Sequence, residues 1–447
     1  MLSSSLRRPR LALTALASML LATLPGLAGA QSLQELYDAA RAFDATYLAA
    51  RSSAASAEFR AAQSDALARP SVAATAGAST AQTDPPGISA KSTHTLSAGL
   101  NGRYPLFNRA NGVTIEQARK GLVSAQAELD AAEQDLIIRM SQAYFDVLTA
   151  QDALASTRAA KAGTAEQLAS AKRNFEVGTA TITDTREAQA KFDLGVAQEL
   201  AAENDLRTKR IALETLVGRT NLQPRPLVVP LVVPPVTPAN PEEWVTVADQ
   251  QHPTIRRARV GMDVAVLETA KARAAEMPTV DAVASLGASD SRGTLPALNR
   301  STGSATSASL GVQLNWPLYT GGATQNRIKE TLALEDKARN DLEAARRAVA
   351  QGTRVAYFGV QSGLAQVKAL EAAESSTKLA LEATQLGYKV GVRVNLDVLN
   401  AQTQLFSTQR DLAKARYDVL VGTLRLRQAS GQLVPTDIDT VNRLLAK

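Results

Sequence analysis

At 447 residues the chain could fill two or three ordinary domains, but only 4% of it is aromatic within an apolar share of 45%, much of which is alanine. Such a composition favours thin, closely packed elements over a thick core. The formal charge of +6 falls to +3 once Arg7, Arg8 and Arg10 are set aside, and no Lys/Arg-rich block remains, so nucleic acid is not an expected partner. The absence of cysteine excludes disulfides, thiolate metal sites, a cysteine nucleophile and a lipidated cysteine.

Residues 1–30 read as a secretory signal peptide. Arginines precede the apolar stretch "LALTALASMLLATLPGL", and Ala28 and Ala30 supply small residues for cleavage before Gln31. A retained membrane anchor fits less well, because Pro25 and Gly26 interrupt a run already shorter than the ~20 residues a span needs.

The mature chain opens with a helix from Gln31 to about Leu67, ended by Pro70. Alternation then predicts two strands, with Val72, Ala74, Ala76 and Ala78 on one side of the first and Leu96, Ala98 and Leu100 on one side of the second. Together they form a β-hairpin at about 70–105, whose long tip is rich in Gly, Pro, Ser and Thr. At the far end of the second strand stands "RYPLF", with Tyr104 and Phe107. In so aromatic-poor a chain, a cluster there suits a membrane-interface girdle.

From about Asn111 to Phe175 there is no proline and little glycine, on the order of 100 Å of helix at ~1.5 Å per residue. Leu122, Leu129 and Leu136 recur every seven residues with Ala125 and Ala132 between them, and Leu206 and Leu213 repeat the spacing on the returning helix, as in a coiled coil. The turn between these helices is "FEVGTATITD", with its tip at 176–184. Gly178 can take the left-handed conformation that ends a helix, and the Thr and Asp residues after it can cap the next one.

After a proline-rich linker at 223–241 the pattern returns. The second unit, 242–435, has a β-hairpin at about 278–317, the aromatic cluster "NWPLY" with Trp316 and Tyr319, and a helical hairpin with its tip at 389–397. Gly178 and Gly391, and Asp184 and Asp397, are each 213 residues apart, while "AYFDV" at Ala143 answers "AYFGV" at Ala356. The first halves of the units align at a slightly smaller offset. The chain is therefore a helix-strand-strand-helix-helix unit written twice, followed by a short tail at 436–447.

Four strands of membrane-crossing length cannot remain an open sheet in lipid, where each unpaired backbone group costs several kcal/mol. Closure with two, three or four copies would give barrels of eight, twelve or sixteen strands. The long helices then project from the other face of the membrane.

These motifs resemble the TolC family of outer-membrane exit ducts, and the likeness extends from Gln31 to about Pro435. The two tip turns, the "AYF" pair and "NWPLYTGG" carry it. The resemblance implies a membrane α+β protein: a homotrimer with a twelve-stranded barrel continuous with an α-helical coiled-coil barrel. Such a duct spans the outer membrane of a Gram-negative bacterium and serves drug efflux or type I protein secretion. It is passive and docks, through a periplasmic adaptor (membrane fusion) protein, onto an inner-membrane pump or ABC exporter.

Carried onto this sequence, the family's gate falls on Tyr388 and Arg393 facing Thr183 and Asp184. Its cation-selective ring falls on Asp397, with Asn400 in place of the second acidic ring of the best-known pattern. Adaptor docking falls on Val177, Gly178 and Thr179 of the first tip and Val390, Gly391 and Val392 of the second. Two rival readings are a secreted periplasmic coiled-coil scaffold, which the strands and aromatic clusters disfavour, and a periplasmic enzyme, for which no nucleophile, base or metal cluster converges. His94 and His252 read as structural, and neither metal nor cofactor is expected.

Overall fold

The computed structural model describes residues 30–83, 91–228, 235–293 and 303–446. The signal segment and most of both strand-connecting loops lie outside the described residues. The element order is α1 (Leu33–Phe43), α2 (Ala45–Asp65), β1 (Ser71–Thr83), β2 (Lys91–Phe107), α3 (Arg109–Glu176) and α4 (Ile182–Val217). It then repeats as α5 (Pro241–Gln251), α6 (Pro253–Ala274), β3 (Thr279–Gly293), β4 (Gly303–Asn315), α7 (Ala323–Lys389) and α8 (Asn395–Ala429), with a short α9 (Asp437–Asn442) at the end.

The segment expected as one helix from Gln31 is two. Asp44 adopts an extended conformation between α1 and α2, its side chain accepts from the Tyr47 N–H at 2.8 Å, and Arg139 of α3 grips the same carboxylate at 3.0 and 3.1 Å. In the second unit His252 stands at the same break, and its Nδ1 accepts from the Thr254 N–H at 3.1 Å. A capping acceptor supplies what the broken helix leaves unpaired; the first break has neither proline nor glycine, and the second has Pro253 as the first residue of α6.

The four strands form one antiparallel meander in the order β1-β2-β3-β4. Register keeps each side of the sheet uniform. Ala74 faces Leu100, Leu100 faces Leu286, and Ala284 faces Leu310, so the apolar residues share one face. The other face carries small and polar groups, including a Ser285–Ser309 hydrogen bond of 2.7 Å and an Arg103–Asp281 ion pair of 2.7 Å. Every residue of β4 is exposed, including Leu310, Val312 and Leu314. Within the chain, β1 and β4 each have one strand neighbour and one open edge.

On the sheet side of the molecule α3 packs between α2 and α6, and α6 also packs on α7. On the other side α3 pairs with α4, α7 pairs with α8, and α3 touches α8, so two helical hairpins lie side by side. The main core forms a collar between these regions, where Leu136, Met140, Tyr144, Phe145 and Leu148 of α3 meet Tyr417, Leu420 and Leu424 of α8. Leu213, from the heptad pattern, is fully buried there, Leu206 is nearly so, and Leu129 packs against the cluster.

The collar also changes the reading of the linker and tail. The Tyr144 hydroxyl donates to the carbonyls of Gln31 and Arg225, at 3.2 and 3.0 Å, and the Tyr357 hydroxyl donates to that of Ala239. The two "AYF" motifs thus pin the two ends of the linker to α3 and α7. The short tail buries Ile438, Val441 and Leu445 in the collar and bridges back to Leu227. Its apolar residues are spaced to cover one side of a short helix, a signal too brief to read by period alone.

Both helix breaks depend on acceptors that acid removes. The hydrogen-bonded Arg139 guanidinium holds the Asp44 carboxyl below its usual range. Its contribution is complete above the ordinary carboxylate pKa and is lost as pH falls through the depressed folded-state value. Burial pushes the His252 imidazole down from 6.5, so the neutral, capping ring favours folding above that pH and the advantage is lost as pH falls below it. Asp44→Ala should destabilise by roughly 2–4 kcal/mol, from the lost cap and the unpaired Arg139. His252→Asn, which can cap without titrating, should remove part of the fall in melting temperature that begins below about pH 6.5. Thermal unfolding followed by circular dichroism across pH checks both; an unchanged acid profile in His252→Asn would contradict the cap assignment.

Candidate functional site: the hairpin tips and the exposed sheet

Each helical hairpin turns through a glycine. Gly178 and Gly391 both have φ +81°, a left-handed conformation that most side chains avoid. In the first tip the N–H of Thr179 reaches the carbonyl of Asn174 at 2.8 Å, and in the second that of Val392 reaches Gly387 at 2.9 Å, the paired closure that ends a helix on glycine.

The next helix starts differently in the two copies. Thr181 caps α4: its hydroxyl accepts from the Asp184 N–H at 3.2 Å, and the Asp184 carboxylate accepts from the Thr181 N–H and hydroxyl at 2.9 and 2.8 Å. This reciprocal box ties Asp184 to its own turn. Val394 holds the matching place before α8 and has no hydroxyl, so only the Asp397 carboxylate reaches back, at 3.4 Å. The second tip starts its helix with fewer bonds. Beside it Asn395 is buried, and neither its side-chain oxygen nor its nitrogen has a hydrogen-bond partner.

The expected latch takes a different form in the protomer. Tyr388 does reach the first hairpin, but its hydroxyl accepts from Asn174 Nδ2 at 3.1 Å and makes no hydrogen bond with Asp184 or Thr183 among the described residues. Arg393 lies 3.7 Å from Asp397 on its own hairpin. Among the described residues Arg393 and Asp184 form no ion pair, because each is engaged locally: Asp184 by its cap and Arg393 by the carboxylate one helical turn away. Thr183 is exposed, Asp397 is half-buried and Asn400 is exposed. Asn174 was hidden in plain view, as the first residue of "NFEVG". Its counterpart in the second copy is Gly387, beside Tyr388, so the donor stands in one tip and the acceptor in the other.

The residues expected to dock an adaptor, Val177, Gly178 and Thr179 with Val390, Gly391 and Val392, are all exposed at the two tips. At the opposite end of the helices the aromatic residues mark the boundary between sheet and helix. Tyr104, Phe107, Trp316 and Tyr319 are all exposed, and Trp316 Nε1 donates to the Glu276 carbonyl at 3.2 Å. The apolar sheet face and this aromatic rim form one continuous surface with no cover from the chain's own helices.

Higher up the hairpins, the Tyr417 hydroxyl of α8 donates to the Asp152 carboxylate of α3 at 2.6 Å, and burial raises the Asp152 carboxyl above its usual range. This bond crosses between the two hairpins at the edge of the collar. No sequence pattern pointed to it, because the two residues are brought together only by α3–α8 packing.

With this geometry in hand, residues 36–219 and 244–432 match the family described as outer membrane efflux protein. The outer membrane protein TolC of Vibrio cholerae is 34% identical over 427 residues, 95% of this chain and 96% of its own length. The alkaline protease secretion protein AprF of Pseudomonas aeruginosa is 33% identical over 347 residues, 76% of this chain and 71% of its own. Among solved structures, the outer membrane protein VceC of Vibrio cholerae superposes with a TM-score of 0.75 at 21% identity, covering 89% of this chain and 96% of the other. The two matched segments coincide with the two runs of helix, strand pair and helical hairpin, and the chain belongs to the outer membrane efflux protein family.

Proposed function

We propose that this chain is a passive exit duct of the outer membrane, closed as a homotrimer, through which an efflux pump or a type I secretion system discharges its cargo. The observation that carries this reading is the sheet. Four strands expose an apolar face and end in two open edges, on a chain whose helices α3 and α7 run for 68 and 67 residues. Three copies would supply twelve strands and a barrel wide enough for an aqueous channel. The apolar face meets lipid, Tyr104, Phe107, Trp316 and Tyr319 sit at the interface, and the face of serines, threonines and glycines lines the channel.

The helical hairpins then form a tube into the periplasm with the tips as its far end. The Tyr388–Asn174 hydrogen bond ties the second hairpin to the first, and Arg393 braces Asp397 within the second tip, with Thr183 and Asp184 on the facing lip. Contacts of this exposure are each worth on the order of 1 kcal/mol or less, repeated three times around the ring. A gate held by several modest bonds can be opened by a partner. The exposed tips are where a periplasmic adaptor, carrying an inner-membrane pump or ABC exporter, engages. Asp397 places three carboxylates around the constriction and favours cations, and the neighbouring Arg393 and the neutral Asn400 moderate that preference.

Fractionation tests the membrane assignment: the protein should partition with outer membranes and need detergent to be recovered as an oligomer, and a soluble monomer would favour the scaffold reading. For the gate, the double variant Tyr388→Ala with Arg393→Ala should raise single-channel conductance in planar bilayers several-fold. Conductance equal to that of the parent would remove these residues from the gate.

A further inference from the structure

Between the collar and the tips, α3, α4 and α8 line a cavity of about 280 Å³. It lies on the seam between the two helical hairpins, and close contacts bound it at either end. Toward the tips, Leu168, Ala171 and Ala188 of the first hairpin pack on Leu399 of the second. Toward the collar, the Tyr417–Asp152 hydrogen bond of 2.6 Å crosses the seam. Between these contacts a Cβ on Gly163 of α3 would meet the Gln402 amide of α8 at 1.8 Å, so there the two hairpins touch directly. The cavity is a local opening in a closely packed seam.

Each helix supplies one cation to the wall: Lys161 of α3, Lys191 of α4 and Arg410 of α8. No carboxylate lines the cavity among the described residues. The carboxylates that stand nearby are outside it. Glu199 pairs with Lys161 and also with Arg158, whose other partner is Glu203, and Asp411 lies 3.5 Å from Arg410, its neighbour in sequence. Lys191 forms no ion pair among the described residues. Like charges gathered in a partly sheltered place repel one another until a counter-charge enters.

The hydroxyls of the wall divide into two kinds. Thr157, Thr164 and Thr403 donate to carbonyls of their own helices at 2.8, 2.9 and 2.7 Å, so their protons are spent. Ser407 only accepts, from Arg410 Nη2 at 3.4 Å, and Ser156 makes no hydrogen bond among the described residues. Both serines can therefore donate into the cavity beside the cations.

Gly195 keeps the space open. It stands in the interior of α4, where glycine weakens a helix relative to alanine. A Cβ there would lie 3.6 Å from the Lys161 side chain, an ordinary contact distance, so backbone packing does not demand glycine. A larger side chain would instead occupy the cavity that Gly195 lines.

We propose that this cavity binds a small oxyanion of the phosphate type, which bridges the first hairpin to the second. Three cations from three helices, with two free hydroxyl donors, match an anion that carries more than one charge and several acceptor oxygens. A lone carboxylate offers one charge and two oxygens. Inorganic phosphate and the phosphate of a small monoester share this chemistry and fit the volume. Because the anion touches α8 on one side and α3 and α4 on the other, it favours the arrangement of hairpins seen here over one in which they separate. The binding stands apart from the channel reading; the effect on the gate rests on it.

Equilibrium dialysis of the full-length, detergent-extracted protein against labelled inorganic phosphate, at constant ionic strength, tests the site. The parent should bind saturably, one phosphate per chain. Lys191→Gln with Arg410→Gln should weaken binding by about tenfold or more. Gly195→Leu, which fills the cavity and suits a helix, should abolish it while the melting temperature is kept. Displacement of the label by glycerol phosphate would assign a phosphomonoester as the ligand, and failure to displace it would assign free phosphate. No saturable binding to the parent, or binding equal in the parent and both variants, would overturn the site. In planar bilayers, saturating phosphate should reduce opening of the parent channel and leave Gly195→Leu unaffected. Unaltered opening with binding intact would overturn the bridging role, whereas phosphate binding by a protein that forms no channel would overturn the duct reading alone.

Discussion

The rest of the structure depends on the backbone groups along the outer edges of β1 and β4. A strand left without a neighbour in hydrocarbon holds a row of unpaired N–H and C=O groups, each costing several kcal/mol, a total far beyond the stability of any single domain. The sheet shows an apolar face and two open edges at once, so the chain by itself is half of a contact. In the closed barrel proposed above, other copies turn the penalty into ladders of hydrogen bonds. It also sets the direction of everything attached, because the strands lead straight into α3 and α7.

That constraint explains why the chain is built as two similar units. Each unit contributes two strands to the sheet and one helical hairpin, so in the proposed assembly a ring of few chains would still reach the width of a channel. The departures from repetition lie where the copies have different tasks. Thr181 completes a capping box in the first tip where Val394 leaves the second half-capped, and Asn174 in the first hairpin holds Tyr388 in the second. The second hairpin is the more weakly anchored at its turn, as the proposed gate requires.

Much of this was legible in the sequence. The alternation of Leu96, Ala98 and Leu100 placed the strands, the long proline-free stretches placed α3 and α7, and the glycines placed both tips, since each signal is local and tied to a backbone period. The break at Asp44 was not legible, because an alanine-rich segment without glycine or proline reads as continuous helix, and an aspartate caps only if the chain actually turns there. The packing of the tail into the collar was hidden for a related reason: three apolar residues in a short segment reveal no period. The catch for Tyr388 required knowing how the two hairpins lie side by side, and a carboxylate near the turn, Asp184, looked the better acceptor until its own helix start was seen to occupy it.

The central claim is that β1 and β4 are not edges in the working protein. Hydrogen exchange of the backbone amides, measured on the detergent-extracted assembly, tests it most directly. Amides along β1 and β4 should be protected to the same degree as those of β2 and β3, because a neighbouring copy completes their ladders. Rapid exchange of the outward-facing amides of β1 and β4, with β2 and β3 protected, would show an open sheet and contradict the account.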